Sequence, residues 1–146
     1  MKAGYRRVTF LAVLAAAATG LPLLVYRHLM GEPADDALAH PGEMWALYAH
    51  VVAAPWLLFV CGMLWPVHVV PHLRAGDARR RPGGLALALA LFPLVLTGYL
   101  AQATDAATLR ALFATVHGFG FAVWLVVFGM HVARARAQRR SSAPSS

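Results

Sequence analysis

The sequence predicts an all-α protein, a four-helix transmembrane up-down bundle with its N- and C-termini cytoplasmic. Three observations carry that expectation. Apolar residues make up 60% of the 146, against roughly 45–50% in soluble domains, and the mean hydropathy is +0.59. Four apolar runs, at about 8–26, 44–70, 84–101 and 109–133, reach or approach the ~20 residues that a helix needs to cross a bilayer. The charges are also sorted along the chain. Lys2, Arg6, Arg7, Arg74, Arg79, Arg80, Arg81, Arg134, Arg136, Arg139 and Arg140 flank the N-terminus, the second loop or the C-terminus, leaving only Arg27 and Arg110 on the other side. That other side holds Glu32, Asp35, Asp36, Glu43 and Asp105, so by the positive-inside rule both termini and the Arg-rich loop face the cytoplasm.

Each element follows from its own stretch. The first span opens with MKAGYRR and runs through VTFLAVLAAAA. It also has the form of a secretory signal with a small-residue cleavage site near Ala17. The apolar run continues through Leu21, Leu23, Leu24 and Val25, which favours a full span. An acidic outer loop, GEPADDALAHPGE, leads to the second span, and RAGDARRRPGG joins the second to the third. Residues 1–133 form one helical domain, and 134–146 read as a basic, disordered cytoplasmic tail ending in SSAPSS. Pro22, Pro55, Pro66 and Pro93 fall within the spans and predict bends or local unwinding. No internal repeat is evident.

A net charge of +7 raises the question of nucleic acid, but the placement of the arginines answers it. They mark topology and attract anionic lipid, so the expected contact is the lipid bilayer and no nucleic acid. A single cysteine, Cys61, permits neither an intramolecular disulfide nor the CxxCH attachment of a c-type haem. It reads as a small buried apolar residue.

Four of the seven histidines lie in the spans: His50 and His68 in the second, His117 and His131 in the fourth. Ionisable groups at such positions are costly and usually functional. At about 100° per residue, the eighteen residues from His50 to His68 bring both to one helix face, and the fourteen from His117 to His131 leave those two within about 40°. In an up-down bundle the second and fourth spans are diagonal and run the same way. His50 and His117 then share the outer level, and His68 and His131 the cytoplasmic level. Each pair suits bis-imidazole coordination of iron in a flat macrocycle. One spacing fits poorly, since the second-span pair is ~27 Å apart and the fourth-span pair ~21 Å. A single outer haem is therefore the variant reading.

Between the histidines, Phe121, Trp124 and Phe128 on one span and Leu57, Cys61 and Leu64 on the other share the histidine faces. They would pack around two macrocycles. Taken alone, the aromatic stripe reads as core or lipid contact. Gly118, Gly120, Gly129 and Gly62 would allow close approach of a macrocycle or of another helix. Arg110, two turns before His117, and Arg134, one turn after His131, are candidate partners for haem propionates. His28 and His40 belong to the outer loop. His72, one turn after His68, is a substitute inner ligand.

On these residues the chain resembles the bacterial four-helix transmembrane di-haem cytochromes b, such as the membrane subunits of formate dehydrogenases and nickel-iron hydrogenases. The resemblance covers about residues 8–133 and rests on the four spans, on R(x6)H(x13)H at Arg110, His117 and His131, and on His50 and His68. It implies two b haems relaying electrons across the bacterial inner membrane between a quinone pool and a periplasmic or membrane redox partner. The chain would then be an electron-transfer subunit of an oxidoreductase complex rather than a stand-alone enzyme. Some members draw one ligand from the first span, which here has no internal histidine. No quinone-binding carboxylate is evident either. Two other classes stay open, a copper- or iron-handling membrane protein, for which imidazole also suits, and a haem-free anchor or assembly subunit.

Overall fold

The computed structural model describes residues 3–30, 41–75 and 82–141, and these are almost entirely helical. In chain order the elements are α1 (Ala3–Leu29), α2 (Pro41–Leu64), a π-helical turn (Trp65–Val69), α3 (Val70–Arg74), α4 (Pro82–Ala103) and α5 (Ala107–Ser141). The second predicted span is thus one composite helix from α2 through α3. Four helical stretches are long and apolar enough to cross a membrane, and no strand occurs among the described residues. The all-α, multi-pass expectation holds. Lys2, Glu32, Asp35, Asp36, His40 and Arg79 to Arg81, with the closing residues 142–146, lie outside the described residues.

The chain divides into two compact units, Met1–Arg74 and Ala75–Ser146. Each is a helical hairpin, α1 on α2 in the first and α4 on α5 in the second.

In the first hairpin, Thr9, Ala12, Val13, Ala16, Ala17 and Leu23 are buried along one stripe of α1, with Leu57 and Val60 buried on α2. The α1 positions recur three or four residues apart, the spacing of one helix face. Alanine predominates because small side chains let two membrane helices approach closely. Thr9 gives its hydroxyl hydrogen to Tyr5 O at 2.7 Å, so its burial leaves no polar group unsatisfied. At the loop end Arg27 Nε donates to Glu43 Oε1 at 3.2 Å. The arginine is in the last turn of α1 and the carboxylate in the first turn of α2, where each also complements its helix dipole.

In the second hairpin, Leu87 and Leu94 on α4 and Phe121 and Trp124 on α5 are buried. Trp124 Nε1 donates to Leu87 O at 3.0 Å. Its ring stacks on Phe121 (centroids 6.0 Å, 12° between planes) and on Phe128 (5.4 Å, 6°). The stripe expected around two macrocycles therefore contributes two of its three rings to the buried residues of its own hairpin. Trp124→Phe is expected to cost about 1 kcal/mol through the lost hydrogen bond, and Trp124→Ala about 3–5 kcal/mol through the lost ring. Reversible unfolding in detergent measures both.

One sequence expectation is corrected here. Residues 134–141 belong to α5 and are helical rather than part of a disordered tail. The stretch RARAQRR is rich in strong helix formers, and cations near a helix C-terminus are favoured by the dipole. The prolines also behave unequally, since Pro22, Pro55 and Pro93 lie inside continuous helices. Among the described residues, the local unwinding expected at a proline is seen at Pro66, near the start of the π turn. Proline removes an N–H from the i→i−4 ladder, and a single wide turn is one way to restore bonding.

Candidate functional site

Each predicted ligand can be placed within its own hairpin. His50, half-buried on α2, has Nδ1 3.0 Å from Thr19 Oγ1 on α1. The Thr19 hydroxyl lies 2.8 Å from Ala15 O, to which it donates. A hydroxyl has one hydrogen, so His50 Nδ1 is the donor in its contact with Thr19. His117, half-buried on α5, has Nδ1 2.8 Å from Leu94 O on α4. A carbonyl only accepts, so this ring too carries its proton on Nδ1. In the neutral form both imidazoles then hold their lone pair on Nε2, the arrangement in which a histidine ligates iron while a hydrogen bond at the other nitrogen fixes the ring.

Glycines make room for these rings. A Cβ on Gly20 would lie 2.9 Å from His50 Cε1, and one on Gly98 would lie 2.8 Å from His117 Cε1 and 2.9 Å from its Nδ1. His131 is placed the same way, 3.2 Å at Cε1 from a Cβ on Gly84. Any larger residue would occupy space the imidazoles fill.

The register of the hairpins explains the recurrence. Gly84 and Gly98 are fourteen residues apart on α4, as His117 and His131 are on α5. In an antiparallel pair, equal separations bring both histidines opposite a glycine. In the first hairpin, seven residues from Gly20 to Arg27 match seven from Glu43 to His50. Among the described residues, the glycines set against a histidine ring are Gly20, Gly84 and Gly98, and none of them meets His68.

His68 differs in a second way. It sits inside the π turn, so the regular 100° count that aligned it with His50 does not hold through its position. A π turn advances fewer degrees per residue. Its ring meets His72 edge-on, with centroids 4.8 Å apart and planes at 67°. His68 and its substitute candidate His72 are thus adjacent.

No family model, curated protein or solved structure matches the chain. The site has to be read from its own chemistry. Among the described residues no three of His, Cys, Asp and Glu converge as a metal-binding group. What the hairpins offer is imidazoles set singly against the neighbouring helix at His50, His117 and His131, and the adjacent pair His68 and His72.

The remaining predicted residues are less engaged. Arg110 and Arg134 are exposed on α5. Leu57 is buried, and Cys61 and Leu64 are half-buried. Of the glycines singled out in the sequence, Gly120 is the one where an added Cβ would come within 3.0 Å of Leu94 Cδ2, while one on Gly62 or Gly129 would meet nothing within 4 Å.

Sequence reasoning missed Thr19, Gly20, Gly84, Gly98 and the Leu94 carbonyl. A signal for some of them existed. The dipeptide Thr-Gly occurs in the first and third spans, at Thr19–Gly20 and Thr97–Gly98, and both hydroxyls bond back to their own helix. Each Thr-Gly lies across from a histidine of the next span, a local repetition invisible to a search for repeated runs.

Proposed function

We propose that this chain is an integral membrane b-type cytochrome of the bacterial inner membrane, holding two non-covalent haems and carrying electrons between a quinone pool and a redox partner subunit. The observation that carries the reading is the His117 imidazole, with Nδ1–H given to Leu94 O at 2.8 Å and its edge set against Gly98. His50 repeats the arrangement on Thr19 and Gly20. An imidazole oriented at one nitrogen, with its lone pair on the other, is the donor that an axial haem ligand requires. In this respect the His50 and His117 rings suit the group.

His50, His117, His68 and His131 would be the ligands, in the pairs given by their sequence heights, His50 with His117 and His68 with His131. Arg110 and Arg134 would meet propionates. Bound haem supplies a one-electron iron couple. The protein's own residues then act by holding the imidazoles, by limiting water through apolar helix surfaces, and by setting the hydrogen bonds behind the ligands. Electrons would cross between the membrane faces in short steps, as suits an electron-transfer subunit.

A pyridine haemochrome assay with redox titration tests this on the purified protein. The expected result is a b-type α band, close to two haems per chain and a two-component titration. A reduced sample without a Soret or α band overturns the reading.

A further inference from the structure

His50 and His117 are oriented by different kinds of acceptor. His117 donates to a main-chain carbonyl, which every residue type possesses. His50 donates to a side-chain hydroxyl, which only a few residue types can supply at position 19. The Thr19 oxygen is held in place because its own hydrogen goes to Ala15 O at 2.8 Å, with Ala16 O at 3.3 Å. Its lone pairs are thereby turned away from its own helix and towards α2. Gly20, the next residue, leaves the space into which the ring fits.

We propose that Thr19 is the positioning residue of His50: its hydroxyl oxygen selects the Nδ1–H form of the ring, presents Nε2 as the ligand nitrogen and tunes that ligand's basicity. The proposal deepens the haem reading above, but its first consequence belongs to the imidazole alone. Hydrogen bonding from Nδ1–H increases the electron density of the ring and raises its basicity as a ligand. A more basic ligand favours the oxidised iron, so removal of the acceptor raises the potential.

Two measurements on the full-length chain test it. The first is imidazole 15N NMR of cofactor-free protein in detergent micelles, comparing the wild type with Thr19→Val, Thr19→Ser and Thr9→Val. Thr9 is the control because it is a buried α1 threonine bonded within its own helix, to Tyr5 O. Wild type, Thr19→Ser and Thr9→Val are expected to hold His50 as the Nδ1–H tautomer. Thr19→Val is expected to shift it towards the Nε2–H form. A wild-type His50 already in the Nε2–H form overturns the proposal, as does a Thr9→Val shift equal to that of Thr19→Val.

The second measurement is redox titration of haem-loaded protein. Thr19→Val is expected to move one component to higher potential and leave the other in place, with Thr19→Ser restoring it. Haem loss in Thr19→Val that Thr19→Ser repairs also supports the assignment. Haem loss in both variants, or an unmoved titration in Thr19→Val, overturns it. If wild-type protein binds no haem, the haem reading fails, and the NMR comparison still decides the role of Thr19.

Discussion

Replacing His117 with alanine is expected to reduce bound haem to about half of the wild-type content or less, because the proposed haem site then loses one of its axial imidazoles. The fold should survive the change. Leu94 lies inside α4, so its carbonyl, the acceptor for His117 Nδ1, also belongs to the helix's own i→i−4 ladder, and removal of the imidazole does not strand a buried carbonyl. Haemochrome content set beside far-ultraviolet circular dichroism separates the two effects. Undiminished haem in a folded His117→Ala protein would refute the ligand assignment. His68→Ala sharpens the same experiment, since one haem per chain in the wild type, retained in His68→Ala and abolished in His117→Ala, would remove the second haem. The π turn around His68, whose ring meets none of Gly20, Gly84 and Gly98, makes this candidate ligand the more informative one to remove.

The second large effect comes from a residue that ligates nothing. Gly98→Ala places a Cβ 2.8 Å from His117 Cε1, 2.9 Å from Nδ1 and 3.5 Å from Nε2. The crowded atoms are those of a stiff ring whose Nδ1 is bonded to the same helix, so relief requires breaking the 2.8 Å bond to Leu94 O or moving α4 away from α5. Haem loss approaching that of His117→Ala is the expected outcome. The glycines form a graded series. Gly20→Ala, at 2.9 Å from His50 Cε1, should behave like Gly98→Ala, and Gly84→Ala, at 3.2 Å from His131 Cε1, should be milder. Gly129→Ala and Gly62→Ala meet nothing within 4 Å. They should keep full haem and gain up to about 1 kcal/mol from helix propensity. Haemochrome content across the five variants checks the order, and equal behaviour of Gly98→Ala and Gly129→Ala would dismiss the crowding argument.

Much of the fold was legible because membrane insertion is a problem of composition. A helix satisfies its own backbone in lipid, so Val, Leu and Ala in a sufficiently long run suffice to place it. The four spans were read in order, though each helix extends several residues beyond its apolar run. Backbone bonding continues past the last apolar side chain, as RARAQRR continues α5. The site was legible only in part. Histidine in an apolar run is conspicuous, and His50, His68, His117 and His131 were found for that reason. The partners that orient them were not, because a threonine or glycine in an apolar helix has several ordinary explanations.

The sequence by itself determined the helical class, the number of membrane-long helices and the positions of the costly imidazoles, because each depends on the cost of placing a side chain in lipid. Only the tertiary structure decided which groups meet Nδ1 of His50 and His117, which glycines those rings press against, and that His68 lies in a π turn. These depend on the register between antiparallel helices and on one local break in the hydrogen-bond ladder. A register error of one residue turns a side chain by about 100°, and no count along a single helix reveals what the neighbouring helix presents at that height.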